Sequence, residues 1–175
     1  MTHLVLERTF DPPLDKPQVI DIVKNGAWCF EQYRVDWLGS LLAVDGRRMV
    51  CRFESNDAES IRQALRTIDA DMRVIWAGST HDAPTSERPN VVVERSFSDP
   101  VELADLQAKE DASQWCLDAH QVRFVRTLFA NDKKRMLCLY AAPDAEAVAE
   151  AQRKAAMPVD RVWPCIPVDM SDVAG

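Results

Sequence analysis

Glycine is scarce: the 175 residues contain five, and no two of them form a phosphate-cradling loop. Nucleotide-binding turns need such glycines so that backbone N–H groups can approach phosphate, so nucleotide chemistry is not expected. The chain has no GxSxG, no HExxH and no CxxC. Those absences remove the usual marks of serine hydrolases, zinc proteases and thiol redox or zinc-ribbon proteins. Basic residues are in the minority, 21 Lys and Arg against 28 Asp and Glu, for a net charge of −7. A nucleic-acid partner would call for clustered cations, so none is expected. No apolar run nears the ~18–20 residues that cross a bilayer, and no basic-then-apolar leader precedes Met1-Thr2-His3. The expectation is a cytoplasmic protein with no membrane partner.

Five cysteines are present: Cys29, Cys51, Cys116, Cys138 and Cys165. The odd number, the spacing and the apolar flanks predict reduced, buried thiols rather than disulfides or a zinc site.

What the chain does have is a self-similarity. His3-Leu4-Val5-Leu6-Glu7-Arg8-Thr9-Phe10 is echoed by Asn90-Val91-Val92-Val93-Glu94-Arg95-Ser96-Phe97, and 94 − 7 gives an offset of 87. The same offset carries Trp28-Cys29 onto Trp115-Cys116, Cys51 onto Cys138 and Trp76 onto Trp163. Roughly a quarter of positions agree without a gap, which reads as one domain-sized unit used twice. The expected organisation is a first repeat over 1–82, a linker over 83–89, a second repeat over 90–169 and a frayed tail over 170–175.

Within each repeat the hydrophobic period alternates between two and 3.6. Strands are predicted over 4–10, 35–43, 49–54 and 72–77, with helices over 14–33 and from N-cap Asp57 onward. A bend or break is expected at Gly26. Asp45-Gly46 signals a tight hairpin. The second repeat follows suit, with a long first helix over 101–120 and a second helix from N-cap Asp144. Pro164 and Pro167 are expected to break the last strand. The order β-α-β-β-α-β is that of a ferredoxin-like unit. Strands such as 136–140 are apolar without alternation, so both faces should be covered. The predicted fold is α+β: two tandem ferredoxin-like units packed sheet to sheet as a pseudo-dimer, like a dimeric α/β barrel, either monomeric or assembled into a further homo-oligomer.

The second repeat also resembles a known family. The motifs are Val93-Glu94-Arg95-x-Phe97, then Cys138-Leu139-Tyr140-Ala141-Ala142-Pro143-Asp144, then Met157-Pro158-Val159-Asp160-Arg161-Val162. Together they resemble a family of small ferredoxin-like domains that includes a nickel-binding bacterial protein. The resemblance implies the fold, the pairing of units and binding of a divalent metal, nickel first. It places no metal ligand on a particular position.

Candidate site residues follow from the residues themselves. Glu7 and Glu94 sit among apolar neighbours on a strand. A buried carboxylate there is hydrogen-bonded, paired with a cation such as Arg8, Arg52 or Arg95, or raised in pKa as a working acid or base. Trp28 and Trp115 recur at one helical position and stand either as core or as walls of a ligand cavity. His120 ends a helix and is a further ligand-binding candidate. His3, His81 and Asp82 are the candidate metal ligands, because imidazole with carboxylate suits nickel or zinc. The functional expectation is a non-enzymatic protein binding a divalent metal or small molecule between the repeats. The alternative is a cofactor-free enzyme of the dimeric α/β-barrel type, with Glu7 or Glu94 as acid or base.

Overall fold

The computed structural model describes Met1–Gly175. The first elements are β1 (Thr2–Thr9), α1 (Lys16–Tyr33), β2 (Asp36–Ala43), β3 (Arg48–Ser55), α2 (Ala58–Thr67) and β4 (Val74–Asp82). They are followed by β5 (Val91–Ser96), α3 (Leu103–Ala112), α4 (Gln114–Ala119), β6 (Arg123–Ala130), β7 (Arg135–Ala141), α5 (Ala145–Lys154), β8 (Arg161–Val168) and α6 (Met170–Ala174). The chain divides into two compact units, Met1–Gly78 with Ile166–Gly175, and Ser79–Cys165.

Local chemistry accounts for these boundaries. Asp15 caps α1 in a reciprocal capping box with Gln18, and Pro17 sits in the first turn, where its missing N–H costs nothing. Asp57 and Asp144 cap α2 and α5 by accepting from Ser60 N and Ala147 N. Gly46 turns the β2–β3 hairpin at φ 74°, and a Cβ there would lie 2.2 Å from Leu14 O. α1 runs through Gly26 as one helix without the break that stood as one of two expectations there, and Ile68 and Phe30 pack around that position. The long helix expected over 101–120 is instead two helices. They meet at Ser113, and α3 has neither a side-chain cap nor a fully buried residue to hold it in line with α4.

The expected pair of four-stranded sheets stacked face to face is corrected. The hydrogen-bonded strand order is β1-β3-β2-β8-β5-β7-β6-β4, and it closes on itself as a barrel. In the first unit β1 lies between β3 and β4, and β2 pairs on the far side of β3, all antiparallel. The second unit repeats this with β5 between β7 and β8, and β6 beyond β7. Each has a register shift in its hairpin, at Trp37/Gly39 and at Phe124/Arg126. A sheet of this kind leaves two edge strands with unpaired N–H and C=O groups. The last strands run longer than expected and meet that need. Positions 166–168 of β8 belong to the first unit, where the strand order sets β8 beside β2. Positions 79–82 of β4 belong to the second, where the order sets β4 beside β6. Pro164 and Pro167 do not break β8.

The tail is also ordered. Asp169 caps α6 with a capping box, Lys16 Nζ lies 2.8 Å from Asp172, and Val168 is buried as part of the first unit's core. The expected frayed end over 170–175 is corrected accordingly. Val168→Ala should cost about 2 kcal/mol, because it empties a buried site. Asp172→Asn, which removes a partly exposed ion pair, should cost under about 1 kcal/mol. Urea denaturation of the two variants checks that order.

Candidate functional site

Period two places Glu94 and Arg95 on opposite faces of β5, and the second unit has a polar centre on each. Glu94 is 5 % exposed. Its carboxylate accepts from Arg135 Nη2 at 2.7 Å, from Trp163 Nε1 at 2.7 Å and from Arg161 Nη1 at 3.2 Å. The sheet supplies this geometry: Arg161 stands directly across from Glu94 on β8, and Trp163 is across from Val92. Burial pushes the Glu94 carboxyl up, but Arg135, Trp163 and Arg161 outweigh it and hold the group below its ordinary range. Arg95 is not its partner, because it points the other way. Glu7 in the first unit likewise accepts from Trp76 Nε1 at 2.7 Å. An ionised carboxylate held by two guanidinium groups is a structural anchor.

On the other face Arg95 is fully buried, at 0 % exposure. Its Nη1 donates to Pro158 O at 2.6 Å, and its Nη2 donates to Gln152 Oε1 at 2.6 Å and Tyr140 Oη at 3.3 Å. Its Nε has no conventional acceptor and lies by the Cys138 thiol, a weak one. Tyr140 donates in turn to Glu110, with contacts of 3.0 and 3.1 Å. Burial pushes the Glu110 carboxyl up, against the pull of Tyr140 and Arg95. The guanidinium is therefore charged, enclosed and held at both terminal nitrogens.

Eighty-seven positions earlier stands Arg8, and the side chains around it differ. Where the second unit has Glu110, Tyr140 and Gln152, the first has Val23, Phe53 and Leu65. All three line a cavity with room for about one water-sized group, ~30 Å³, beside Arg8 and Cys51. The Nε of Arg8 is buried without a hydrogen-bond partner, and the guanidinium carbon lies 5.0 Å from the centre of the Phe10 ring. Asp71, the carboxylate that feels Arg8, is taken up by Arg73 at 2.6 to 3.0 Å, which brings its pKa down to about 2. Burial raises the Cys51 thiol to about 11, against the hydrogen bond from Ser40 and the charge of Arg8. Arg8, Ile22, Ile68 and Ala70 also line an open cleft of about 420 Å³, walled further by Trp28 and Asn25.

The remaining sequence candidates are scattered. Trp28 is 57 % exposed on α1 and Trp115 is 68 % exposed on α4, so neither is core. His120 follows α4 with Nε2 3.3 Å from Lys154 Nζ. His3 Nε2 lies 3.6 Å from Glu54, and its buried Nδ1 has no partner. His81 meets Ser79 Oγ at 2.8 Å, and Asp82 pairs with Arg126. No three His, Cys, Asp or Glu side chains converge to hold a metal ion. All five cysteines are free and buried. Sequence reasoning treated Arg8 and Arg95 only as partners for the glutamates. The missed signal was an arginine alternating with Leu4 and Leu6, or with Val91 and Val93, on the apolar face of a strand.

Residues 92–165 match the family described as nickel responsive protein SCO4226-like. The second unit resembles that family. The match covers less than half of the chain. The solved structure of SCO4226 from Streptomyces coelicolor A3(2) is 18 % identical, covers 42 % of this chain and 90 % of its own, and has a TM-score of 0.38. Two structures align over nearly the whole length. A putative chlorite dismutase, TA0507, is 12 % identical over 99 % of this chain and 96 % of its own, at TM-score 0.54. A mutant chlorite dismutase from Candidatus Nitrospira defluvii is 9 % identical over 98 % and 92 %, at 0.56. These two share the fold, and at such identity the likeness says nothing of activity. No curated protein matches the sequence.

Two outcomes follow. Glu94→Gln should lower stability at neutral pH by about 2 kcal/mol, since it weakens hydrogen bonds to charged donors. Because the folded-state pKa is depressed, the charge stabilises above the ordinary value of 4.5 and its contribution fades as pH falls through and below it. The two unfolding curves should therefore converge in acid. Gln152→Leu, which brings the first unit's residue into the second, should cost about 2–3 kcal/mol by taking a partner from a buried guanidinium, read by urea denaturation at pH 7.

Proposed function

We propose that this chain is a non-enzymatic binding protein and that its first unit carries the ligand site. The observation that supports this most is the contrast between the two arginines. Arg95 spends its terminal nitrogens on partners of its own unit, whereas Arg8 has no such side-chain partners, and its Nε, buried without an acceptor as that of Arg95 is, lies at the meeting of a cavity and an open cleft. Burying a polar group without a partner costs free energy, and a ligand that supplies the partner recovers it. The catalytic alternative fares less well. Glu94 is ionised and held by two arginines, which leaves it a poor proton-transfer group.

The family match supports metal-related binding, and nickel is the metal to test. The donor set does not fit a tight site. Structural and catalytic sites for such ions draw on three or more protein ligands, and the best partial set here is His3 with Glu54. The unpartnered Nδ1 of His3 is the specific observation in favour of this second reading.

Native mass spectrometry of the purified protein tests the first reading. Wild type should carry a small-molecule adduct that Phe53→Tyr/Leu65→Gln, which gives Arg8 counterparts of Tyr140 and Gln152, does not. Identical adduct-free spectra would count against it. Calorimetry with nickel tests the second: weak, millimolar-range binding is expected. One-to-one micromolar binding abolished by His3→Ala would make the metal the principal ligand instead.

A further inference from the structure

We infer that the ligand of the first unit is a small organic monocarboxylate with an apolar or aromatic body, bound with its carboxylate on Arg8 and its body along the cleft toward Trp28. This rests on the reading of the first unit as the ligand site and adds the ligand's chemistry.

The charge comes from Arg8. A guanidinium offers a planar fork that matches a carboxylate side-on, through Nε and one terminal nitrogen. Nε is the atom that is buried and unpartnered here, beside a space that fits one oxygen-sized group. In the second unit the equivalent region holds Gln152 Oε1 and Tyr140 Oη, both presented to Arg95 Nη2, while Nε of Arg95 is likewise without a conventional acceptor. A carboxylate likewise presents two oxygens, and it reaches Arg8 from outside the chain.

A single negative charge fits better than two. Arg8 is the one cation lining either space, the rest of the lining is apolar apart from Ser40, Cys51, Asn25 and Thr67, and the Asp71 carboxylate that feels Arg8 is taken up by Arg73. A phosphate monoester would call for more cations or a helix N-terminus aimed at it, and the lining has neither feature. The body of the ligand is set by the walls. Ile22, Ile68, Ala70 and Gly26 give an apolar floor, and Trp28 stands 57 % exposed at the side of a cleft of about 420 Å³. That volume lies in the range of small-molecule sites. An exposed tryptophan beside an apolar floor provides a face for an aromatic or aliphatic group.

The test uses benzoate and hexanoate as probes, with benzamide as the neutral control, followed by tryptophan fluorescence and calorimetry on the whole chain. The carboxylates should bind and quench, and benzamide should bind at least about tenfold more weakly, as expected for loss of a charge-assisted pair. Phe53→Tyr/Leu65→Gln should abolish binding. Arg8→Lys keeps the charge and loses the fork, so it should weaken the carboxylates while leaving benzamide unchanged; it also stands as the second variant if the double one does not fold. Equal binding of benzamide and benzoate, both lost in the double variant, would overturn the carboxylate assignment and leave the ligand site standing. Binding of none of the probes, with an adduct in native mass spectra that the double variant loses, would do the same. No probe binding and no adduct would reduce the space beside Arg8 to a water site and overturn both readings.

Discussion

The partnering of a buried guanidinium is the constraint around which the second unit's interior is arranged. Arg95 takes a carbonyl, an amide and a phenol, and those groups come from the 157–160 loop, α5 and β7. The phenol then needs an acceptor, which α3 provides in Glu110. Removing any one leaves a polar atom in an apolar, low-dielectric setting, where the penalty exceeds the worth of an ordinary hydrogen bond. Burial pushes the Glu110 carboxyl up, against the pull of Tyr140 and Arg95, as expected of an acceptor enclosed with them. α3 has little apolar burial of its own, so this contact fastens it.

The first unit keeps the arginine and gives up the partners. Valine, phenylalanine and leucine stand where glutamate, tyrosine and glutamine stand in the second. The lost side-chain oxygens leave a small cavity rather than a collapsed core. A sequence that needed Arg8 only for stability would do better with an apolar residue there. In the reading proposed above, the free energy left unsatisfied in the free protein is what a ligand recovers. The other face of the strands tells the opposite story: the Glu94–Trp163 bond and the Glu7–Trp76 bond are both 2.7 Å, and Glu94 adds two arginines.

Much of the fold was legible because its signals are local. The alternation of periods placed the strands, and Asp57 and Asp144 were readable as caps because they precede clear helical stripes. Barrel closure was not legible. It depends on β4 and β8 running a few residues past the expected ends, and whether an edge residue pairs is decided by a strand distant in sequence. Pro164 and Pro167 pointed away from pairing, yet β8 accommodates both. The glutamates drew attention as charges on apolar strands, but the same argument applied to Arg8 and Arg95 and went unused. The change from a satisfied to an unsatisfied arginine depends on side chains from α1, β3 and α2 that only the folded structure brings together. Trp28 shows the limit most simply. Its position on α1 was clear, but its exposure at a cleft follows from how α1 packs near Ile68.

Arg95 has its terminal nitrogens partnered within its own unit, and Arg8 does not. Side-chain NMR of ¹⁵N-arginine-labelled protein, freed of retained small molecules, measures this directly through hydrogen exchange of the guanidinium protons. Protons on the terminal nitrogens of Arg95 should be protected, because they sit in hydrogen bonds inside a closed core. Those of Arg8 should exchange fast and become protected only when a ligand is present. Equal protection of both arginines in the ligand-free protein would contradict the account.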